Sequence, residues 1–153
     1  MANPMRSAVL LMLVISPLLR AEMMPAEEFS PADIPGARLV YLDFWASWCV
    51  PCRHSFPWLN EMQEKYREDG LVVIGINLDR EADKAEKFLD KYPARFSLVS
   101  DPDGLLGERY RLQGMPSSVI LDSSGNELHR HIGFRADKGD VYEQVLLDLL
   151  KGE

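Results

Sequence analysis

Residues 39–52 read LVYLDFWASWCVPC. The first seven, Leu39 to Trp45, favour β structure and are apolar apart from Asp43, with no polar–apolar alternation. Such a run reads as a strand covered on both faces, the kind buried at the centre of a parallel α/β sheet. Cys49 and Cys52 follow at C-x-x-C spacing. Beyond them Phe56, Leu59, Met62 and Tyr66 recur every three or four residues, which marks one face of a helix. The stretch is a strand, a turn carrying two thiols, and the start of a helix.

The same pattern continues downstream. Gly70 stops the first helix, and LVVIGIN from Leu71 to Asn77 is a second buried strand. Residues 79–92 read as a helix with Ala85, Phe88, Leu89 and Tyr92 inward, and residues 96–99 as a short strand. An Asp101-Pro102-Asp103-Gly104 turn leads to a short helix over residues 105–110. Residues 117–121 form a strand that turns through Ser123-Ser124-Gly125-Asn126 into an antiparallel partner over residues 127–134. Asp137 with Asp140 is a capping pattern for a last helix that buries Val141, Val145, Leu146 and Leu149. The order β-α-β-α-β-α-β-β-α predicts an α/β fold: a mixed central sheet, parallel through right-handed crossovers and then antiparallel, flanked by helices.

Upstream, Arg6 precedes an apolar run from Ala8 to Leu19, broken by Ser16 and Pro17. A membrane-spanning helix needs roughly 20 residues, so the run is too short. A cation before a short apolar stretch is the secretory signature, so residues 1–21 read as a signal peptide or retained N-terminal anchor; a buried first helix is the alternative. Residues 22–36, with Pro25, Pro31, Pro35 and Gly36, read as a linker and poorly structured lead-in to one domain over residues 37–153.

The whole chain is 153 residues, 46% hydrophobic and 27% charged, which supports a packed core and excludes global disorder. Lys and Arg number 17 against 24 Asp and Glu, a net charge of −7 that argues against nucleic acid or an anionic membrane face as partner. Two cysteines exclude a disulfide-rich scaffold and cannot alone complete a four-thiolate zinc or iron–sulfur site.

What two cysteines at a strand-to-helix junction can do is redox exchange. A helix start presents unpaired N–H groups and the positive end of the dipole, which stabilise a thiolate. A thiolate is the species that attacks a disulfide. Cys52, one helical turn on, can reach back and resolve the mixed disulfide. Pro51 suits the helix start, where its missing N–H costs little, and stiffens the turn. Competing readings are a structural disulfide, half a metal site completed by His54, His129 or His131, and two unrelated thiols. The short loop, the lack of metal-ligand spacing and an oxidising compartment weigh against them in turn. Asp43, the one charge in its strand, is costly to ionise if buried, and a raised carboxyl could exchange a proton with Cys52; its alternative is a solvent-facing or turn-capping role. Pro116, at the start of an apolar strand, is a candidate for a cis peptide bond.

The segment Phe44-Trp45-Ala46-Ser47-Trp48-Cys49-Val50-Pro51-Cys52 resembles the thioredoxin-like superfamily, and within it the TlpA/ResA-like extracytoplasmic thiol–disulfide oxidoreductases. Phe56-Pro57, Asn77-Leu78-Asp79, Gly114-Met115-Pro116, Ile120-Leu121-Asp122 and Gly125 extend the resemblance. It implies a thioredoxin-like fold with an extra α-β insertion over residues 79–99. Cys49 would attack and Cys52 resolve, with Asp43 as the buried acid. Pro116 would be the cis-proline facing the pair, and Met115 would offer its backbone to a substrate strand. Trp48 and Trp45 would flank the site as apolar contact surface, with simple core packing as the alternative for either. The resemblance also implies a periplasmic monomer with no dissociable cofactor and no metal. It would reduce disulfides in client proteins and be recharged by a membrane thiol reductase. Members tied to cytochrome c biogenesis often carry a glutamate where this chain has Ser55, and the N-terminal hairpin usual in the group is curtailed here. Two rival functions are a non-catalytic thioredoxin-like binding module and a thiol peroxidase.

Overall fold

The computed structural model describes residues 23–152. In chain order the elements are β1 (Met24–Pro25), β2 (Leu39–Trp45), α1 (Cys52–Tyr66), β3 (Leu71–Asn77), α2 (Ala82–Lys91), β4 (Ser97–Ser100), α3 (Leu105–Arg109), β5 (Ser117–Asp122), β6 (Glu127–Ile132) and α4 (Gly139–Lys151). Six strands make one mixed sheet in the order β1-β4-β3-β2-β5-β6. β2 pairs in parallel with β3 and antiparallel with β5, so the strand that leads to the cysteines is central. All seven of its residues are buried, which is why its sequence does not alternate.

Two apolar layers clothe the sheet. On one face Tyr41 of β2 and Val73 of β3 pack with Leu59 and Met62 of α1 and Leu146 and Leu150 of α4. On the other, Leu42 and Phe44 pack with Ile74, Ile76, Val119 and Leu106 of α3. A third cluster lies at the end of the sheet where β2 runs out: Trp45, Phe56, Ala85 and Phe88 surround Cys49 and Cys52. Helix α2 and strand β4 form the predicted insertion; β4 adds in parallel to β3, and β1 adds in parallel to β4.

Several expectations are corrected. The lead-in is not poorly structured: after β1 it makes two 3-10 turns and buries Ala26, Phe29, Pro31 and Ala37, with Ala26, Phe29 and Ala37 in the second layer. Apolar side chains spaced through a Pro-rich stretch decide this, since prolines restrict helices but not burial. Helix α2 begins at Ala82, not at residue 79, because Asp79 is engaged elsewhere: its N–H donates to Asn77 Oδ1 at 3.2 Å. Asp137 does not cap α4; it pairs with Arg135 at 2.8 Å, and a 3-10 turn, Ala136–Lys138, leads into the helix. That entry turns Val141 outward, 56% exposed, and leaves Leu146 and Leu150 as the buried anchors with Val145 and Leu149 half-buried. The predicted signal peptide or anchor, residues 1–21, lies outside the described residues. Among the described residues no helix is long and apolar enough to cross a membrane.

Candidate active site

β2 ends at Trp45, and the chain turns through Ala46–Val50 before α1 starts. Cys49 lies in this turn, its N–H donating to Ala46 O at 3.1 Å. Pro51 takes helical angles, φ −62° and ψ −26°, at the N-cap, and Cys52 is the first helical residue. The cysteines are joined as a disulfide with Cα atoms 5.4 Å apart. Cys52 is fully buried and Cys49 only 3% exposed. The turn between them is on the surface, with Val50 and Pro51 exposed.

A rigid clamp holds the turn from the far side. Asp79, just past β3, accepts the Ser47 backbone N–H at 2.8 Å, the Ser47 hydroxyl at 2.8 Å and Asn77 Nδ2 at 2.8 Å. Next along the turn, Trp48 stands 68% exposed beside Cys49. Trp45 does not share that surface: it is fully buried, edge-on to Phe56 at 5.0 Å and tilted over Phe88 at 4.8 Å. The contact-surface expectation therefore fails for Trp45, because the outward turn begins only after it.

Facing the cysteine cluster is the loop before β5. The Met115–Pro116 peptide is cis. Pro116 is buried, and its carbonyl accepts the Gly133 N–H at 2.7 Å. Met115 is half-buried and packs against the cluster that contains both cysteines. Cys49, Cys52, Met115 and Pro116 are thus gathered at one end of the sheet, with Trp48 and Pro51 on its outer surface.

Asp43 lies deeper along β2, between Gly75 of β3 and Ser118 of β5. It is 1% exposed, so it neither caps a turn nor faces solvent. Gly75 leaves room for a dense neighbourhood: a Cβ there would come within 2.9 Å of Phe96 and Leu98 side-chain carbons. The Ser118 hydroxyl donates to Asp43 Oδ1 at 2.9 Å, while Oδ2 is buried without a hydrogen-bond partner. Burial pushes the carboxyl up to about 7, against the smaller opposing pull of the Ser118 and Ser55 hydroxyls. Such a group exchanges protons near neutrality, as acid–base work at a thiol requires.

Asp79, Ser47 and Ser118 are parts of the site that residue reading did not single out. Asn77-Leu78-Asp79 was visible as a motif, yet helical periodicity drew Asp79 into the next helix. Ser118 carried no signal until the β2–β5 register set it opposite Asp43. Among the described residues no group of three or more His, Cys, Asp or Glu side chains could hold a metal ion.

Residues 36–127 match the family described as Thioredoxin-like. HelX of Rhodobacter capsulatus, a thiol:disulfide interchange protein, is 32% identical over 139 residues, covering 90% of this chain and 76% of its own. The thiol–disulfide oxidoreductase ResA of Bacillus thuringiensis subsp. konkukian is 27% identical over 135 residues, 82% of this chain and 75% of its own. A crystal structure from Chlorobium tepidum, assigned as a thiol:disulfide interchange protein DsbE, superposes with a TM-score of 0.72 at 46% identity, covering 75% of this chain and 82% of that one. With this fold, its pair of cysteines joined at the strand–helix junction and relatives of this kind, the chain belongs to the thioredoxin-like family, among its ResA-like thiol–disulfide oxidoreductases.

Proposed function

We propose that the protein reduces disulfides in client proteins outside the cytoplasm. The observation that carries this is the Cys49–Cys52 disulfide at a strand–helix junction, with exposed Trp48 on one side and Met115–Pro116 on the other. In the reduced protein the N-terminal end of α1 favours the Cys49 thiolate. That thiolate attacks one sulfur of the client disulfide, and the other client sulfur leaves as a thiolate. Cys52 then loses its proton to the Asp43 carboxylate and attacks Cys49 Sγ. The second client thiolate leaves and the Cys49–Cys52 disulfide forms: the client gains two electrons and the protein loses two. An external dithiol, read as a membrane thiol reductase, restores the pair, and no dissociable cofactor takes part.

Trp48 and Val50 offer an apolar contact, and the Met115 backbone a place for a client strand to add. Pro51 resembles the reducing members, which supports reduction as the direction. The location follows from the secretory pattern of residues 1–21 and from the relatives, and the working form is read as a monomer. Ser55, where a glutamate is usual in cytochrome c maturation, favours clients other than apocytochromes.

Reduction of insulin by the pre-reduced protein, with Cys49→Ser as the inactive control, tests the activity. Cys52→Ser should trap clients on Cys49. A binding module would keep its function in Cys52→Ser, and a peroxidase would consume peroxide faster than disulfide; either result overturns the proposal. So would a reduction potential near that of a strong oxidant with no insulin reduction.

A further inference from the structure

A client strand that adds at Met115 meets a backbone, and a backbone selects a partner only if it is held still. Proline has no N–H, so the Pro116 carbonyl is the group of that residue that can tie the segment to the sheet. It accepts the Gly133 N–H at 2.7 Å, one step beyond Ser117 and Ile132, the last pair of the β5–β6 ladder. Ile132 also stands close behind Gly114, where an added Cβ would come within 3.3 Å of its Cγ2. The end of β6 is thus the support of the segment that carries Met115.

That support has its own anchor. At Gly133, φ is +81°, a left-handed angle that glycine takes without strain, and the chain leaves the sheet there. Tyr142, half-buried in the first turn of α4, meets the chain on both sides of this glycine. Before it, the His131 ring stacks on the Tyr142 ring at 4.7 Å, with planes 10° apart. After it, the Phe134 ring lies 5.3 Å from the Tyr142 ring, and the Tyr142 hydroxyl accepts the Arg135 N–H at 3.3 Å. Trp58 of α1 backs the pair, 5.7 Å from Phe134 and 5.9 Å from Tyr142. One side chain therefore grips residues 131, 134 and 135, and Gly133 sits between its holds.

We propose that Tyr142 is a positioning residue of the client site: it fixes residues 131–135 and, through the Gly133–Pro116 hydrogen bond, the backbone that Met115 offers to a client strand. This rests on the reading of Met115 as the point where a client strand adds. The clamp bears on binding and not on thiol chemistry, because Cys49 and Cys52 are packed by a separate cluster of Trp45, Phe56, Ala85 and Phe88. Loosening it weakens the hold on a protein client and leaves a small disulfide, which needs no strand addition, as reactive as before.

Insulin reduction, with a dithiol present to recycle the protein, tests this as a split between KM and kcat. Tyr142→Ala should raise KM for insulin roughly fivefold with kcat within about twofold, and leave the rate with a small aromatic disulfide unchanged. Tyr142→Phe, which keeps the ring and loses the Arg135 bond, should fall between. Amide hydrogen exchange adds a readout that no client enters: Gly133 should exchange about tenfold faster in Tyr142→Ala, while Leu42 in central β2 keeps its rate. Val145→Ala, on the same helix but packed against the inner layer, is the control for lost stability and should move neither KM nor Gly133. If Tyr142→Ala does not fold, Tyr142→Leu, which fills the space without accepting from Arg135 or stacking, reads the same quantities. An unchanged KM, an unchanged Gly133 rate, an equal loss on the small disulfide or an equal change in Val145→Ala each overturns the proposal. A wild type that does not reduce insulin overturns the functional reading itself, and this proposal with it.

Discussion

Asp79 grips Ser47 twice, accepting its backbone N–H and its hydroxyl at 2.8 Å each. The grip joins the end of β3 to the turn that carries Trp48 and Cys49, so the position of the redox pair depends on a strand that holds neither cysteine. Asp79→Ala removes the acceptor from three donors at once. It should cost about 2–3 kcal/mol in denaturant unfolding and lower the rate of insulin reduction, with Asp79→Asn intermediate in both. Wild-type stability and rate in Asp79→Ala would show that the turn holds itself.

Asp43 makes the protein less stable as the pH rises. Its carboxyl ordinarily titrates near 3.8 and is held at about 7 in the fold by burial. Between those values the folded state binds more protons than the unfolded state, so stability falls as pH increases across that window and levels off above it. The full effect is on the order of 4 kcal/mol. Asp43→Asn should flatten the fall and be more stable than the wild type at pH 8, while slowing resolution of the mixed disulfide. Urea unfolding at pH 5 and pH 8 measures the first effect. A parallel pH dependence in both proteins would mean that Asp43 ionises freely.

The parts of this fold that local rules govern were legible in the chain. Non-alternating β2, the helix face of Phe56, Leu59 and Met62, and the Ser123–Asn126 turn follow from the periods of strand and helix and from turn chemistry. Cys49 and Cys52 were legible because spacing and position alone carry their chemistry. What escaped reading depends on register or on one side chain capturing another. Ser118 matters because it pairs opposite Asp43, and Asp79 leaves its helix because Asn77 and Ser47 take its backbone and carboxyl. Val141 was assigned inward by periodicity, but the 3-10 turn before α4 sets the phase of the helix. The Pro-rich lead-in looked unstructured because a two-residue strand has no period to read.

Trp48 is the large exposed side chain next to Cys49, and its exposure has little stability to lose. Trp48→Ala should change unfolding free energy by no more than about 0.5 kcal/mol. If the indole is a contact for client proteins, the rate with a protein disulfide such as insulin should fall roughly tenfold. The rate with a small aromatic disulfide, which needs no such contact, should hold. Equal losses on both substrates would place Trp48 in the chemistry of Cys49 and not in recognition.

His131 supplies the opposite pH limb to Asp43. Its ring stacks on Tyr142 at 4.7 Å and meets the buried Tyr41 hydroxyl at 3.3 Å. Burial, with a smaller contribution from neighbouring His129, holds the imidazole down at about 4 against an ordinary 6.5. Here the unfolded state binds more protons between those values, so stability is full above pH 6.5 and is lost as the pH falls toward 4. A charged imidazolium at this largely buried position is costly, so the ring stays neutral in the fold until the pH approaches 4. His131→Phe keeps an aromatic ring for Tyr142 while removing the titration. Losing the Tyr41 partner costs the variant about 1 kcal/mol where the wild-type ring is neutral. Between pH 6.5 and pH 4 the variant should then gain stability on acidification, because the Asp43 limb acts unopposed, where the wild type shows the two limbs offsetting each other. Thermal unfolding across that range measures the slope. An acid limb between pH 6.5 and pH 4 that is unchanged in His131→Phe would show that His131 is not its source.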